Sequence, residues 1–184
     1  MSVGLTVPGS ATAPALSLRP WAPADLPALL AAHRDPVMRE RLTGWVGDEA
    51  AARRWLAEQE AGWADGSRYC FAVVPAGGEP IGSMVVKVWS GAKSGLAEVG
   101  YWTAAGARGQ GVAPRALAAV LEWLTGPERP APLAAVDLLH AVGNTASCRV
   151  AEKSGFGLVE LLAPFPPDFP EEGHRHRRVL VTLP

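Results

Sequence analysis

The chain has 184 residues, 48% of them hydrophobic and 19% charged, with a formal net charge of −1. That balance excludes a disordered polyelectrolyte and gives no basic excess for nucleic acid as the main partner; the single dense basic run is "HRHRR", His174 to Arg178. No apolar run is long enough to span a bilayer, and two distant cysteines, Cys70 and Cys148, are too few for a disulfide framework or a CxxC metal site. A cytoplasmic protein without a metal is therefore expected.

The opening "MSVGLTVPGSATAPA" has neither the charged start nor the apolar core of a signal peptide. Residues 1–14 are expected as a flexible tail, and residues 15–184 as one domain. The first predicted strand is "ALSLR", Ala15 to Arg19. "PADLPALLAAH" follows as a short helix, with a proline near its start and apolar residues at helical spacing. "RDPVMRERLTGWVG" holds another short helix and a turn. "DEAAARRWLAEQEAGWADG" is the clearest helix of the N-terminal half, with Asp48 as N-cap and Gly66 beyond its end.

The period then changes from helical to alternating. "RYCFAVVP" and "IGSMVVKVW" read as a hairpin through Gly77 and Gly78. "LAEVGYWT" is the next strand. After the glycine-rich "RGQG" comes an apolar stripe of Leu117, Val120, Leu121 and Leu124, which predicts a helix. "LAAVDLLHAV" is a strand, "NTASCRVAEKSG" a helix with Asn144 as N-cap and Gly155 as its stop, and "FGLVELLA" a strand. "PFPPDFPEEG" is a Pro-rich loop, and "RRVLVTL" is the closing strand. This order suits a mixed sheet with helices on both faces.

Glycines directly ahead of a helix suit an anionic ligand. The first amides of a helix lack intrahelical partners, the macrodipole adds positive charge there, and glycine lets a ligand approach the backbone. In "RGQGVAP" the amides of Gly109, Gln110, Gly111, Val112 and Ala113 could converge on a diphosphate, with Arg108 as a nearby cation. A P-loop is excluded because no GK[ST] follows, and a dinucleotide fingerprint fails because Pro114 stands at its third position. An ordinary glycine-rich turn remains the competing reading.

Two segments together narrow the choice. "AEVGYWTAAGARGQGVAPRALAAVLEWL" and "NTASCRVAEKSGFG" resemble the GNAT superfamily of acyl-CoA-dependent N-acetyltransferases, in particular its ribosomal-protein N-terminal acetyltransferase-like branch. Arg108, Gly111 and Ala113 match one motif; Asn144, Ser147, Glu152, Lys153, Gly155 and Phe156 match the other. "LSLRPWAPADLPAL" is typical of the same branch. The resemblance implies an α/β (α+β) GNAT fold: a central mixed, mostly antiparallel sheet of about seven strands, with two strands splayed around a CoA cleft. It implies acetyl-CoA as cosubstrate, its pyrophosphate on the glycine junction. Pantetheine would lie against Tyr101, Trp102 and Thr103, Asn144 would contact it, and Ser147 would stand near the sulfur. Dimerisation is common in the branch, so a homodimer is compatible. Pro114 departs from the pattern, since one phosphate-binding N–H is lost.

The chemistry is attack of a neutral amine on a thioester, which calls for a base and a proton donor for the departing thiolate. Glu98 is the first base candidate: it shares a strand face with Gly100 and Trp102. The alternative is a salt-bridged strand charge. His140, near the end of the strand before Asn144, is a second candidate base, set against a structural histidine. Ser147 is the candidate donor, although as third residue after Asn144 it could simply stabilise the first turn. Tyr101 is another donor candidate, set against packing. Cys148 could carry a covalent acetyl group, but a buried helical cysteine and direct transfer in a ternary complex are the preferred reading. The expected activity is acetylation of a primary amine, of a protein N-terminus or a small molecule. The alternatives are a non-catalytic CoA-binding regulator and a nucleotide-binding domain.

Overall fold

In the computed structural model, residues 3–42, 44–128 and 130–180 are described. Eight strands form one sheet: β1 (Leu5–Val7), β2 (Leu16–Pro20), β3 (Arg68–Pro75), β4 (Gly82–Val88), β5 (Leu96–Thr103), β6 (Ala135–Ala141), β7 (Gly157–Leu162) and β8 (Gly173–Val179). Their spatial order is β1-β2-β3-β4-β5-β6-β8-β7. Every neighbouring pair is antiparallel except β5–β6, which is parallel. The helices are α1 (Leu26–His33), α2 (Pro36–Arg41), α3 (Glu49–Asp65), α4 (Val112–Thr125) and α5 (Thr145–Lys153).

The local signals explain these boundaries. The Asp48 side chain accepts from the Ala51 amide at 2.7 Å and starts α3, and Gly66 ends it. Asn144 accepts from the Ser147 amide at 3.3 Å and starts α5. α4 has no side-chain cap; Gly111 stands at its N-cap.

Two expectations change. The sheet has eight strands where about seven were expected, because Leu5–Val7 lies within the segment expected as a tail yet pairs with β2. Burial of Val7 and two hydrogen bonds from the Arg115 guanidinium, to the carbonyls of Pro8 (2.9 Å) and Pro14 (2.8 Å), hold this segment against α4. The last strand is Gly173–Val179 instead of "RRVLVTL", so the basic run lies inside the sheet between β6 and β7. Alternation is the reason. Arg177 donates to both carboxylate oxygens of Asp137 (2.6 and 2.8 Å), while the His176 ring, on the opposite face, is buried. Residues 181–183 of the expected strand lie outside the described residues.

A large core fills the space between the sheet and α4: Phe71, Val73, Met84, Val86, Val99 and Leu138 meet Leu117, Val120 and Leu124. A smaller one, around Leu29, Val46 and Ala52 with Trp21, Trp55 and Trp102, covers the other face under α1 and α3. The decisive feature is between β5 and β6. Their ladder runs only from Leu96↔Ala135 to Val99↔Leu138. Beyond it, β5 stays with β4 as far as Thr103↔Gly82, and β6 stays with β8 as far as Ala141↔Gly173. Each strand follows its other neighbour, so the sheet opens between Gly100–Thr103 and Leu139–Ala141.

Candidate active site

The glycine junction stands at the mouth of this opening, one short turn after β5. Gly109 (φ 76°) and Gly111 (φ 72°) both occupy the left-handed region, which costs an L-residue about 1–2 kcal/mol. Glycine, with no Cβ, escapes that cost, and two such residues turn the chain sharply out of β5 and into α4. Residues 108–111 are exposed. Among the described residues, the amides of Gly109, Gln110, Gly111, Val112 and Ala113 have no hydrogen-bond acceptor; the first amide of this helix to find one is Arg115, on the Gly111 carbonyl. Five partnerless donors at a helix N-terminus are suited to cradle an anion. Gln110 braces it by donating to the Gly106 carbonyl at 2.8 Å.

Arg108 is differently engaged than expected. Its guanidinium pairs with the Asp35 carboxylate, and its Nε donates to the Thr103 carbonyl at 3.1 Å. Asp35 also caps α2 through the Val37 amide. The cation is therefore near the cradle but tied to the α1–α2 side of the cleft.

The strand alternation of β5 divides the candidate chemistry between two faces. Tyr101 packs toward the α4 core and Trp102 toward α1 and α3. The Tyr101 hydroxyl is buried and faces Ser147 on the first turn of α5, without closing a full hydrogen bond. Burial pushes its pKa up, and the Ser147 contact offsets part of that. Both groups therefore stay protonated at neutral pH and could donate into the cleft. Asn144 uses its side-chain oxygen on the Ser147 amide, which leaves its NH₂ free to donate.

Glu98 lies on the opposite face, with Trp102, and accepts from the Lys87 ammonium at 2.8 Å. Its side chain is 17% exposed. The competing reading of a salt-bridged strand charge is thus realised. In register beside it is Asp137, bound by Arg177. On this same face the Trp102 ring meets Trp21 and His33. His33 accepts from the Val46 amide at 3.1 Å, and burial pushes its pKa down. His33 also borders a cavity of about 310 Å³ with Arg34, Arg39 and Trp45; none of the predicted cofactor-binding residues lines it.

His140 does not join Glu98. It lies on the α5 side, stacked on His176 with ring centroids 5.1 Å apart, and its Nδ1 is 2.8 Å from the Ala141 carbonyl. Burial pushes its pKa down, partly opposed by that carbonyl and reinforced by His176 and His174. Cys148 lies beside these rings, 3.7 Å from both His174 and His176. Sequence reasoning missed this group, because one member sits on β6, one on α5 and two on a strand whose register was misplaced. It also missed Asp35 and His33, which are brought to the site only by tertiary packing.

The structure thus gathers Tyr101, Trp102, Thr103, Asn144 and Ser147 around one opening with residues 109–113 at its mouth, and sets Glu98 and His140 on opposite faces. A model of the acetyltransferase (GNAT) domain matches residues 15–157. Among solved structures, the chain is similar to RimL, a ribosomal L7/L12 alpha-N-protein acetyltransferase in complex with coenzyme A: the TM-score is 0.79 at 20% identity, over 95% of this chain and 98% of that one. It is also similar to Mycobacterium smegmatis RimJ in complex with CoA-disulfide, with TM-score 0.74, 22% identity, and 97% and 86% of the two chains covered. The microcin C7 self-immunity acetyltransferase MccE, in complex with acetyl-CoA and AMP, matches at TM-score 0.77 and 15% identity over 89% and 92%. A search of curated proteins found no match. At such identities the structural neighbours speak for the fold, and the family match spans most of the chain. With the fold, the splayed strands and the family match in agreement, the chain belongs to the GNAT family of acetyltransferases.

Proposed function

We propose that the chain transfers an acetyl group from acetyl-CoA to a primary amine, at a protein N-terminus or on a small molecule, by direct attack in a ternary complex. One observation carries this reading: the five partnerless amides of residues 109–113 stand where the β5–β6 ladder ends. They would hold the diphosphate. Pantetheine would run along Gly100–Thr103 as a substitute strand, reached from the other wall by the Asn144 NH₂. A free backbone N–H of β5 would polarise the thioester carbonyl as charge develops on it.

The amine would approach from the Trp102 face. Glu98 precedes the opening by two residues, about 7 Å along the strand. That span suits a water relay, with Lys87 holding the carboxylate in place at 2.8 Å. The thiolate would leave on the other face, where Tyr101 and Ser147 offer protons. His33, Trp45 and the 310 Å³ cavity they border would receive the acceptor. The RimL and RimJ likeness favours a peptide N-terminus, and among the described residues no helix is long and apolar enough to cross a membrane. Free thiols at Cys70 and Cys148 fit a cytoplasmic setting.

A second reading is a CoA-binding domain without turnover. It rests on Arg108 being held by Asp35 and on Pro114, which supplies no N–H. The test is release of free CoA from acetyl-CoA across a panel of N-terminal peptides, polyamines and amino acids, with mass analysis of the acceptors. A product heavier by one acetyl group supports transfer. Tight CoA binding without turnover on any acceptor supports the second reading, and no CoA binding overturns both.

A further inference from the structure

The geometry points to a zinc(II) site built from His140, Cys148, His174 and His176, on the α5 face of the sheet. The fold assembles it from three elements. His174 and His176, two residues apart on β8, point to one face. His140 is the direct cross-strand partner of His174. Cys148, on the first turn of α5, lies over them. One donor atom from each residue lies within 4.8 Å of all the others. The Cys148 Sγ is 3.7 Å from both His174 Nδ1 and His176 Nε2.

Those separations approach what zinc needs. With Zn–N near 2.0–2.1 Å and Zn–S near 2.3 Å, a tetrahedral site has donor–donor edges of about 3.3–3.6 Å. The sulfur–nitrogen edges are already nearly that short. Imidazole and thiolate are also the donor types zinc favours. The outer contacts fit as well. The Nδ1–H of His140 can donate to the Ala141 carbonyl at 2.8 Å, which fixes the tautomer with the Nε2 lone pair available; outer partners of this kind orient metal-bound histidines. That Nε2 is buried and has no partner.

Without a metal the group is under-satisfied. The Cys148 thiol can donate to one imidazole nitrogen and accept from the other, but the His140 Nε2 is left without a partner. Unpaired buried polar atoms destabilise a fold. A single cation would satisfy all four donors, the Cys148 thiol giving up its proton on binding. Four protein ligands make a closed site, which is the structural type of zinc centre. It would clamp α5 to β6 and β8, and so hold Asn144 and Ser147 against the cleft wall. It would also occupy the His140 lone pair, so that His140 could not act as a base.

The inference does not depend on acetyl transfer, and its test uses binding and spectra. The full-length, tag-free chain is stripped with chelator and titrated with Zn²⁺ and, separately, Co²⁺. One Zn²⁺ per chain, bound with submicromolar affinity, is expected. Co²⁺ should give the visible absorption of tetrahedral coordination and a thiolate-to-cobalt charge-transfer band in the near ultraviolet. Cys148→Ser should lose that band and bind Zn²⁺ at least about 100-fold more weakly, the upper end of what losing an outer partner alone costs. His174→Gln provides a second variant that leaves the thiol in place. Bound Zn²⁺ should also protect Cys148 of the unaltered chain from alkylation. Absence of saturable one-to-one binding below micromolar Zn²⁺, or a cobalt spectrum unchanged by Cys148→Ser, would overturn the site.

Discussion

Replacing Gly111 with alanine tests the anion cradle at its hinge. A Cβ at this position would meet only the Arg115 Cδ, at 4.0 Å, so the substitution causes no clash. What it adds is handedness: with φ at 72°, the alanine carries about 1–2 kcal/mol of backbone strain. If the turn holds its shape, that energy is lost from stability, and a chain of this size should melt about 2–8 °C lower. If the free loop instead relaxes to negative φ, CoA must restore the turn on binding, and affinity falls by about 5–30-fold. The two losses share one source, so the weaker the effect on melting, the larger it must be on binding. Calorimetric titration with CoA and thermal melts with and without saturating CoA measure both. Gly91→Ala is the control: that position is also left-handed, has open space around it, and lies away from the cleft. It should lower the melting temperature similarly and leave CoA affinity alone. A Gly111→Ala protein with wild-type melting and wild-type CoA affinity would refute the reasoning.

Tyr101→Phe removes the buried hydroxyl that faces the opening. We expect kcat to fall by about 10²-fold, the low end for loss of a general acid, with CoA affinity and melting held; unchanged kcat would exclude Tyr101 as donor. Asp35→Asn keeps an equally good cap for α2 but frees the Arg108 guanidinium. CoA should then bind about 1.4- to 5-fold tighter at low salt, the range of an exposed ion pair, and weaker binding would show that the pair positions the cradle. Asp25 is buried beside the turn that precedes α1. Desolvation raises its pKa, but the Arg19 guanidinium at 2.6 and 2.8 Å and the Ala22 amide outweigh it, so the net shift is downward. A depressed carboxylate stabilises the fold above its ordinary pKa and loses that effect as pH falls through the lower folded value. Asp25→Asn should therefore cost about 1–3 kcal/mol at neutral pH, and the gap in melting temperature should close in acid. Cys70, fully buried with its pKa pushed up to about 11, should resist alkylation at pH 8 while metal-free Cys148 reacts; equal labelling of both would contradict that burial.

Local chemistry explains which parts of this fold were legible in the residues. Strands β3, β4 and β5 are β-branched or aromatic runs separated by glycine turns, and they were found with bounds close to those observed. α3 and α5 carry their own caps in Asp48 and Asn144. β1 was not legible, because three residues of edge strand have no periodicity to read, and Val7 becomes apolar core only once α4 is packed beneath it. β8 was shifted by several residues for a different reason. "GHRHRRV" reads as a solvated basic run, and its strand character appears only when Arg177 finds Asp137 and the histidines find each other across β6.

The same distinction runs through the site. The turn at Gly109–Gly111 could be read from the chain, because glycine spacing ahead of a helix reports backbone geometry directly. The placement of the candidate side chains on two faces could not, because it depends on which way a strand faces. Tyr101 and Trp102 are neighbours in sequence, yet alternation sends one toward Ser147 and the other toward His33. Glu98 follows Trp102 by the same parity, and His140 falls on the Tyr101 side because Val99 is in register with Leu138. A base and a donor on opposite faces of the opening suit a reaction in which the amine enters from one side and the thiolate departs from the other. Glu98→Gln decides whether that parity has chemical meaning. If Glu98 takes the proton, kcat/KM should fall by about 10²-fold or more, and CoA affinity should be unaffected because the carboxylate faces away from the cradle. If the Lys87–Glu98 pair merely braces two strands, the variant should lose stability and keep its turnover.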